Sequence, residues 1–260
     1  MRYTIREEEK KGGKDAVKDL YALSRALYDE AFPGEDARFT EALFALGFPK
    51  HLVAMGEGAE LASMLFALPY DIVTADGVQK AHYLYAVATA KAHRGKGLAK
   101  KLLRRVAERG TPVFLRPMSP SLFDFYKDAG FTPFSPYREW QGEAEEGDTA
   151  GFAALSKEEY LAARDGFLRP PYCRMTADFL SLSFSLGGAV GLDGRFAALF
   201  EREGDTVLFK EWWGDTAMAP LATSFLGAKR FVARTPDKNG SPFGVGINIP
   251  AGSVFLAALD

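Results

Sequence analysis

The stretch from Tyr83 to Ala99, YLYAVATAKAHRGKGLA, constrains the fold more than any other part of the chain. Its first half is a Tyr- and Val-bearing run of strand character. Arg94-Gly95-Lys96-Gly97 then breaks the chain, and beyond it Leu98, Leu102, Leu103 and Val106 fall on one face of a helix. A strand, a glycine loop and a helix start in that order turn successive backbone N–H groups and the positive end of a helix dipole toward one point. Such a corner can cradle a pyrophosphate. Eight basic residues and one acid, Glu108, lie between Lys91 and Arg109 in a chain of net charge −2. A basic run alone reads as a solvated helix face, but beside the glycines it becomes an anion site with a mechanism.

Two other phosphate loops fail on spacing. A Walker loop needs Gly-x-x-x-x-Gly-Lys-Ser/Thr, and a dinucleotide fingerprint needs a third glycine where Lys100 stands, with an acid further on.

Around this segment the pattern predicts a helix from Asp15 to Ala31 built on Val17, Leu20, Leu23 or Ser24, and Leu27, and a second helix from Asp36 to Leu46. Strands are expected at Leu52–Met55, Leu61–Pro69, Ala81–Thr89, Pro112–Leu115 and Phe131–Trp140. Between the last two, Ser119 and Pro120 are expected to open a helix that Gly130 closes. Residues 142–150 are polar and read as a linker, which places one domain at 1–141 and another at 151–260. In the second domain 150–170 reads as helical or irregular, Arg195–Glu201 and Thr206–Trp212 as paired strands, and Thr216–Leu226 as a helix. Lys229–Arg234, Gly244–Ile249 and Val254–Ala258 read as strands. The class is α/β, with an α+β mixed sheet in each half.

The combination of Arg-Gly-x-Gly between strand and helix with the later Phe125-Tyr126-Lys127-Asp128-Ala129-Gly130-Phe131 resembles the GNAT superfamily of N-acetyltransferases, over roughly Ala16 to Trp140. The resemblance implies an acetyl-coenzyme A site formed by Tyr85, Ala86, Val87, His93, Arg94, Gly95, Lys96, Gly97, Leu98, Ser121 and Leu122. Its strand would splay and leave Tyr85–Val87 to pair with the pantetheine arm. Ala92 stands where the family usually has Gln or Arg, which moves one phosphate contact onto Arg94 or Lys96 and leaves the backbone cradle intact. Tyr126 matches the family's general acid. A phenol of pKa about 10 is still protonated at neutral pH and can protonate a departing thiolate. Packing against Phe123 and Phe125 is the structural alternative.

The base is less legible. The strand Tyr83–Thr89 has no carboxylate, and His51, Glu57, Glu60 and His82 read as structural or solvated. The chain is similar to the Eis-like (enhanced intracellular survival) branch, in which a degenerate second GNAT-like domain follows the first and the C-terminal carboxylate acts as base. That implies tandem GNAT-like domains, the second without coenzyme A, since Asp215-Thr216-Ala217-Met218-Ala219-Pro220 replaces the glycine loop. It also implies Asp260 as the base.

The expected activity is direct acetyl transfer to a primary amine of a small molecule or peptide. A non-catalytic acyl-coenzyme A sensor or scaffold is the alternative. Aminoglycosides, polyamines and lysine side chains are all compatible acceptors for helices carrying Asp15, Asp19, Asp29, Glu30, Glu35, Asp36 and Glu41 among aromatic residues. Neither half is basic enough for nucleic acid, no apolar run reaches membrane-spanning length, and the charged N-terminus resembles no signal peptide. A cytoplasmic protein is expected, with the oligomeric state open, a homo-oligomer included. The lone Cys173 suggests neither a disulfide nor a metal site.

Overall fold

The computed structural model describes residues 4–7, 14–48, 52–57 and 60–259. The chain divides into two compact units, and the division does not follow the chain in series: Val245–Ile249 belongs with the first unit and Asp71–Gln79 with the second.

The first unit begins with β1 (Thr4–Glu7), α1 (Lys14–Ala31) and α2 (Ala37–Gly47). Leu20, Ser24, Leu27 and Tyr28 form the buried face of α1, so the small Ser24, not Leu23, fills the innermost position. Asp36 caps α2, its carboxylate accepting from the N–H groups of Arg38 and Phe39. Strands β2 (Leu52–Glu57), β3 (Glu60–Thr74) and β4 (Gly77–Thr89) follow, then α3 (Leu98–Ala107), β5 (Val113–Leu115) and α4 (Leu122–Lys127). The strand order is β1-β2-β3-β4-β5, antiparallel at β1–β2 and β2–β3 and parallel at β4–β5. On the far side of β5 a distant segment pairs antiparallel, Val245 opposite Leu115 and Ile247 opposite Val113. The core beneath α3 joins Leu98, Leu102, Leu103 and Val106 to Leu65, Leu84, Val113, Leu115, Phe131 and Val245.

Helix α4 starts later than the sequence pattern indicates. Ser119 and Pro120 form tight turns, their carbonyls accepting from Leu122 and Phe123, and the Ser119 hydroxyl lies 2.9 Å from that of Ser121 instead of capping the helix. Gly130, at φ +96°, ends it as expected.

The second unit comprises most of β6 (Thr132–Glu143), then β7 (Ala153–Leu155), α5 (Lys157–Phe167), β8 (Tyr172–Met175), α6 (Ala177–Leu186), β9 (Gly187–Leu192), β10 (Phe196–Glu203), β11 (Thr206–Gly214), α7 (Ala219–Phe225) and β12 (Arg230–Pro236). The last strand, β13 (Ser241–Ile247), runs on to the segment that pairs with β5. The polar stretch read as a linker is strand at its start: Gly142 and Glu143 pair with Phe231 and Arg230. The order within this unit is β6-β12-β11-β10-β9-β7. Residues 254–259, expected as a strand, form only one bridge, Val254 to Tyr172. The remainder is an extended, buried tail pinned by Ser135, whose hydroxyl donates to the Phe255 carbonyl at 2.6 Å and accepts from the Phe255 N–H at 2.8 Å.

An antiparallel pair, a 3₁₀ turn, a helix and a strand parallel to the second member of the pair occur twice. In the first unit they are β3, β4, Lys91–His93, α3 and β5; in the second they are β10, β11, Thr216–Met218, α7 and β12. Only in the first copy do glycines, Gly95 and Gly97, separate the 3₁₀ turn from the helix; in the second, α7 follows Met218 directly. In the second, the Asp215 carboxylate accepts from Ala217 N–H and pairs with Arg195 at 2.7 Å, and Trp212 stacks on Phe196 at 4.6 Å.

Candidate acyl-transfer cleft

The parallel ladder of β4 and β5 has two rungs, His82 opposite Val113 and Tyr83 opposite Phe114. Past Tyr83, β4 leaves its neighbour. Ala86 adopts φ +52°, a left-handed conformation that costs a non-glycine residue about 1 kcal/mol and turns the strand out of regular pleat. On its other side β4 stays anchored: the Ser63 hydroxyl donates to the Ala88 carbonyl at 2.7 Å, and Ala90 N–H donates to the Ala62 carbonyl at 3.0 Å. One edge of the strand is therefore fixed while the other opens.

A cleft of about 660 Å³ lies at this opening. Val87, Ala88 and Thr89 supply one wall, His93, Arg94, Gly95, Gly97, Leu98, Ala99 and Lys100 the end, and Met118, Leu122 and Phe125 the opposite wall, with Ala31 and Phe32 closing the α1 side. Gly95 and Gly97 sit at φ +75° and +70°, and no other atom lies within 4 Å of where a Cβ would be. Both glycines are required by backbone conformation, and a side chain on either would occupy open space beside the loop. Gly97 is the N-cap of α3 and offers no side chain, so the first N–H groups of a ten-residue helix are left for an anion. The Arg94 Nε donates to the Thr89 carbonyl at 3.1 Å, and Lys91 N–H donates to the Glu30 carboxylate at 2.9 Å, tying the loop to β4 and to α1.

Of the expected cofactor residues, Val87, His93, Arg94, Gly95, Gly97, Leu98 and Leu122 line this cleft. Tyr85, Ala86, Lys96 and Ser121 adjoin it in sequence without forming its wall. His93 is buried, with Nε2 3.2 Å from the Glu60 carboxylate, so its ring braces the loop. Tyr126 is buried in the core below α3, edge-on to Phe125 and Phe131, while its neighbours Leu122 and Phe125 face the cleft. Burial alone pushes its phenol up to about 12. Asp260, His51 and the side chain of Glu57 lie outside the described residues. Sequence reasoning missed Met118, which is 76% exposed at the cleft rim and which no motif marks; Phe32, one of the aromatic residues expected along the first helices, lines the cleft.

The acidic face expected on the first helices is largely committed to structure. Arg25 holds both Asp29 (3.1 Å) and Glu41 (3.0 Å), Glu30 accepts from Lys91, and Asp36 caps α2.

The opened parallel strand pair leads into a glycine-cradled helix start, a corner that can hold a phosphate-bearing ligand. Residues 10–134 match the acetyltransferase (GNAT) domain family, and this part of the chain is a GNAT acyltransferase domain. Such domains take their acyl group from an acyl-coenzyme A. No curated protein matches the sequence. Among solved structures, a GCN5-related N-acetyltransferase from Anabaena variabilis is similar at TM-score 0.67 and 13% identity, over 94% of this chain and 72% of that one. A GCN5-related N-acetyltransferase from Kribbella flavida gives 0.64 and 12% over 94% and 70%. Eis1 from Mycobacterium abscessus gives 0.59 and 12% over 93% and 66%. At this identity the likeness is one of fold. Among the described residues no helix is long and apolar enough to cross a membrane.

Proposed function

We propose that the chain is an acetyl-coenzyme A-dependent N-acetyltransferase of the Eis-like branch, acting on a primary amine, with the first unit active and the second a degenerate GNAT-like copy. The observation that carries this reading is the coincidence, in one cleft, of the β4–β5 opening with the Gly95/Gly97 cradle. Similarity to Eis1 over both units supports the branch. The filled turn at Asp215 and the Trp212–Phe196 stack support a second copy without coenzyme A.

Bound acetyl-coenzyme A supplies an activated acetyl thioester. The chain's residues hold and expose it: Gly95, Gly97 and the α3 N-terminus take the pyrophosphate, Arg94 and Lys100 add charge, and the unpaired edge of β4 at Tyr85–Val87 takes the amide-bearing arm. As the amine forms its N–C bond and the C–S bond breaks, Tyr126 delivers a proton to the sulfur and is reprotonated by the one the amine sheds. Products are the amide and the free thiol. Asp260 is the base proposed from the family resemblance, and the protein is placed in the cytoplasm. Burial of Tyr126 off the cleft wall favours a second reading, a non-catalytic acyl-coenzyme A sensor. Thiol release from acetyl-coenzyme A in the presence of primary amines separates the two: amine-dependent release supports the enzyme, and tight binding with no release across an amine panel supports the sensor.

A further inference from the structure

The turn that presents the two glycines is capped from outside itself. Lys91–His93 is a single 3₁₀ turn whose N-cap, Ala90, has no side chain able to accept from the turn's first N–H groups. At Lys91 the acceptor comes instead from sixty-one residues earlier, where a Glu30 carboxylate oxygen lies 2.9 Å from the Lys91 nitrogen. Within the turn His93 N–H donates to the Ala90 carbonyl at 2.8 Å and Arg94 N–H to the Lys91 carbonyl at 3.4 Å, and Gly95 and Gly97 follow at positive φ. The orientation of Lys91 is therefore passed to the cradle through the turn's own backbone.

A carboxylate is an expensive choice of cap here. Glu30 is exposed on the last turn of α1, at the head of a loop suited to an anion, so its charge opposes the ligand that the cradle would take. A neutral Ser or Asn at position 90 would cap the turn without that repulsion. What Glu30 adds is a link to another wall, since Ala31 and Phe32, the next two residues, close the α1 side of the same cleft. The other side-chain ties run to strands: His93 Nε2 lies 3.2 Å from the Glu60 carboxylate of β3, and Arg94 Nε donates to the Thr89 carbonyl of β4 at 3.1 Å. Glu30 thus fixes the cradle relative to the helical wall.

We propose that Glu30 is a positioning residue for the acyl donor: by holding Lys91 N–H it sets the glycine cradle against the α1 wall, and its charge moderates the affinity of that cradle. The inference rests on the acetyl-coenzyme A reading of the cleft and names a residue that tunes it. Calorimetric titration of acetyl-coenzyme A into the full chain and its Glu30→Gln and Glu30→Ala variants, at low and high salt, separates the bond from the charge. Glutamine keeps an oxygen for Lys91 N–H and loses the charge, whereas alanine loses both. Expected are a dissociation constant about twofold lower in Glu30→Gln at low salt, with the gain vanishing at high salt, and one about tenfold higher in Glu30→Ala at both. Amide hydrogen exchange at Lys91 quickens in Glu30→Ala and stays as in the unsubstituted chain in Glu30→Gln. Equal affinities in all three chains would overturn the proposal, as would a loss in Glu30→Gln that matches the loss in Glu30→Ala. Should Glu30→Ala fail to fold, Glu30→Gln decides: tighter binding at low salt supports the proposal and weaker or equal binding overturns it. Failure of the unsubstituted chain to bind acetyl-coenzyme A would instead remove the reading beneath it.

Discussion

Tyr83, opposite Phe114, is the last residue of β4 to pair with β5, and three residues later Ala86 turns through φ +52°. Everything the cleft can do follows from that departure. Backbone groups that a closed ladder would consume are left for a ligand, and Ser63 keeps the strand from following the opening.

If Tyr126 is the proton donor, Tyr126→Phe lowers kcat about 10²-fold and leaves the dissociation constant for acetyl-coenzyme A unchanged. Stopped turnover and calorimetry on the same preparation check both halves. Unchanged kcat would assign Tyr126 to the core alongside Phe125 and Phe131.

Alkaline stability carries a signature of the buried phenols. Burial raises Tyr28 and Tyr126 to about 12 and raises Tyr85 as well, each from 10. Between these values the unfolded chain has released protons that the native state retains. Stability is therefore intact below pH 10 and falls as pH rises through the window, by about 1.4 kcal/mol per pH unit for each tyrosine. Urea midpoints at pH 8, 10 and 11 should decline only above pH 10, and less steeply in Tyr28→Phe; a flat profile to pH 11 would contradict the burial.

In the second unit Arg164 is buried against Glu211, with Nε to carboxylate oxygen at 2.6 Å, and also donates to the Cys173 carbonyl at 3.0 Å; the Tyr160 hydroxyl donates to the same carboxylate. Arg164→Leu strands a buried negative charge and should destabilise the chain by about 3–5 kcal/mol. The double variant with Glu211→Leu should recover most of that loss. Denaturant titration reads both, and a single-variant loss below about 1 kcal/mol would show the pair to be solvated.

What could be read from residues alone was local. The spacing of Leu98, Leu102, Leu103 and Val106 and the glycines before them fix α3 and its cradle, because backbone conformation at Gly95 and Gly97 is set by neighbours in sequence. The pairing of Val245–Ile247 with β5 was not legible, since strand partners over a hundred residues apart leave no periodic mark. Nor was the fate of the acidic residues on α1 and α2: Asp29 and Glu41 look available in sequence and are neutralised by Arg25 only once the two helices pack. Tyr126 was found by motif, but its burial depends on Phe131 and the α3 core arriving around it.

The central claim is that one cleft, in the first unit, holds acetyl-coenzyme A. Calorimetric titration of the full chain, beside its Gly95→Asp/Gly97→Asp variant, tests it most directly. The account expects one site per chain with micromolar affinity, lost in the variant because each new carboxylate would stand in the phosphate cradle. No binding by the unsubstituted chain, or binding that survives both substitutions, would contradict it.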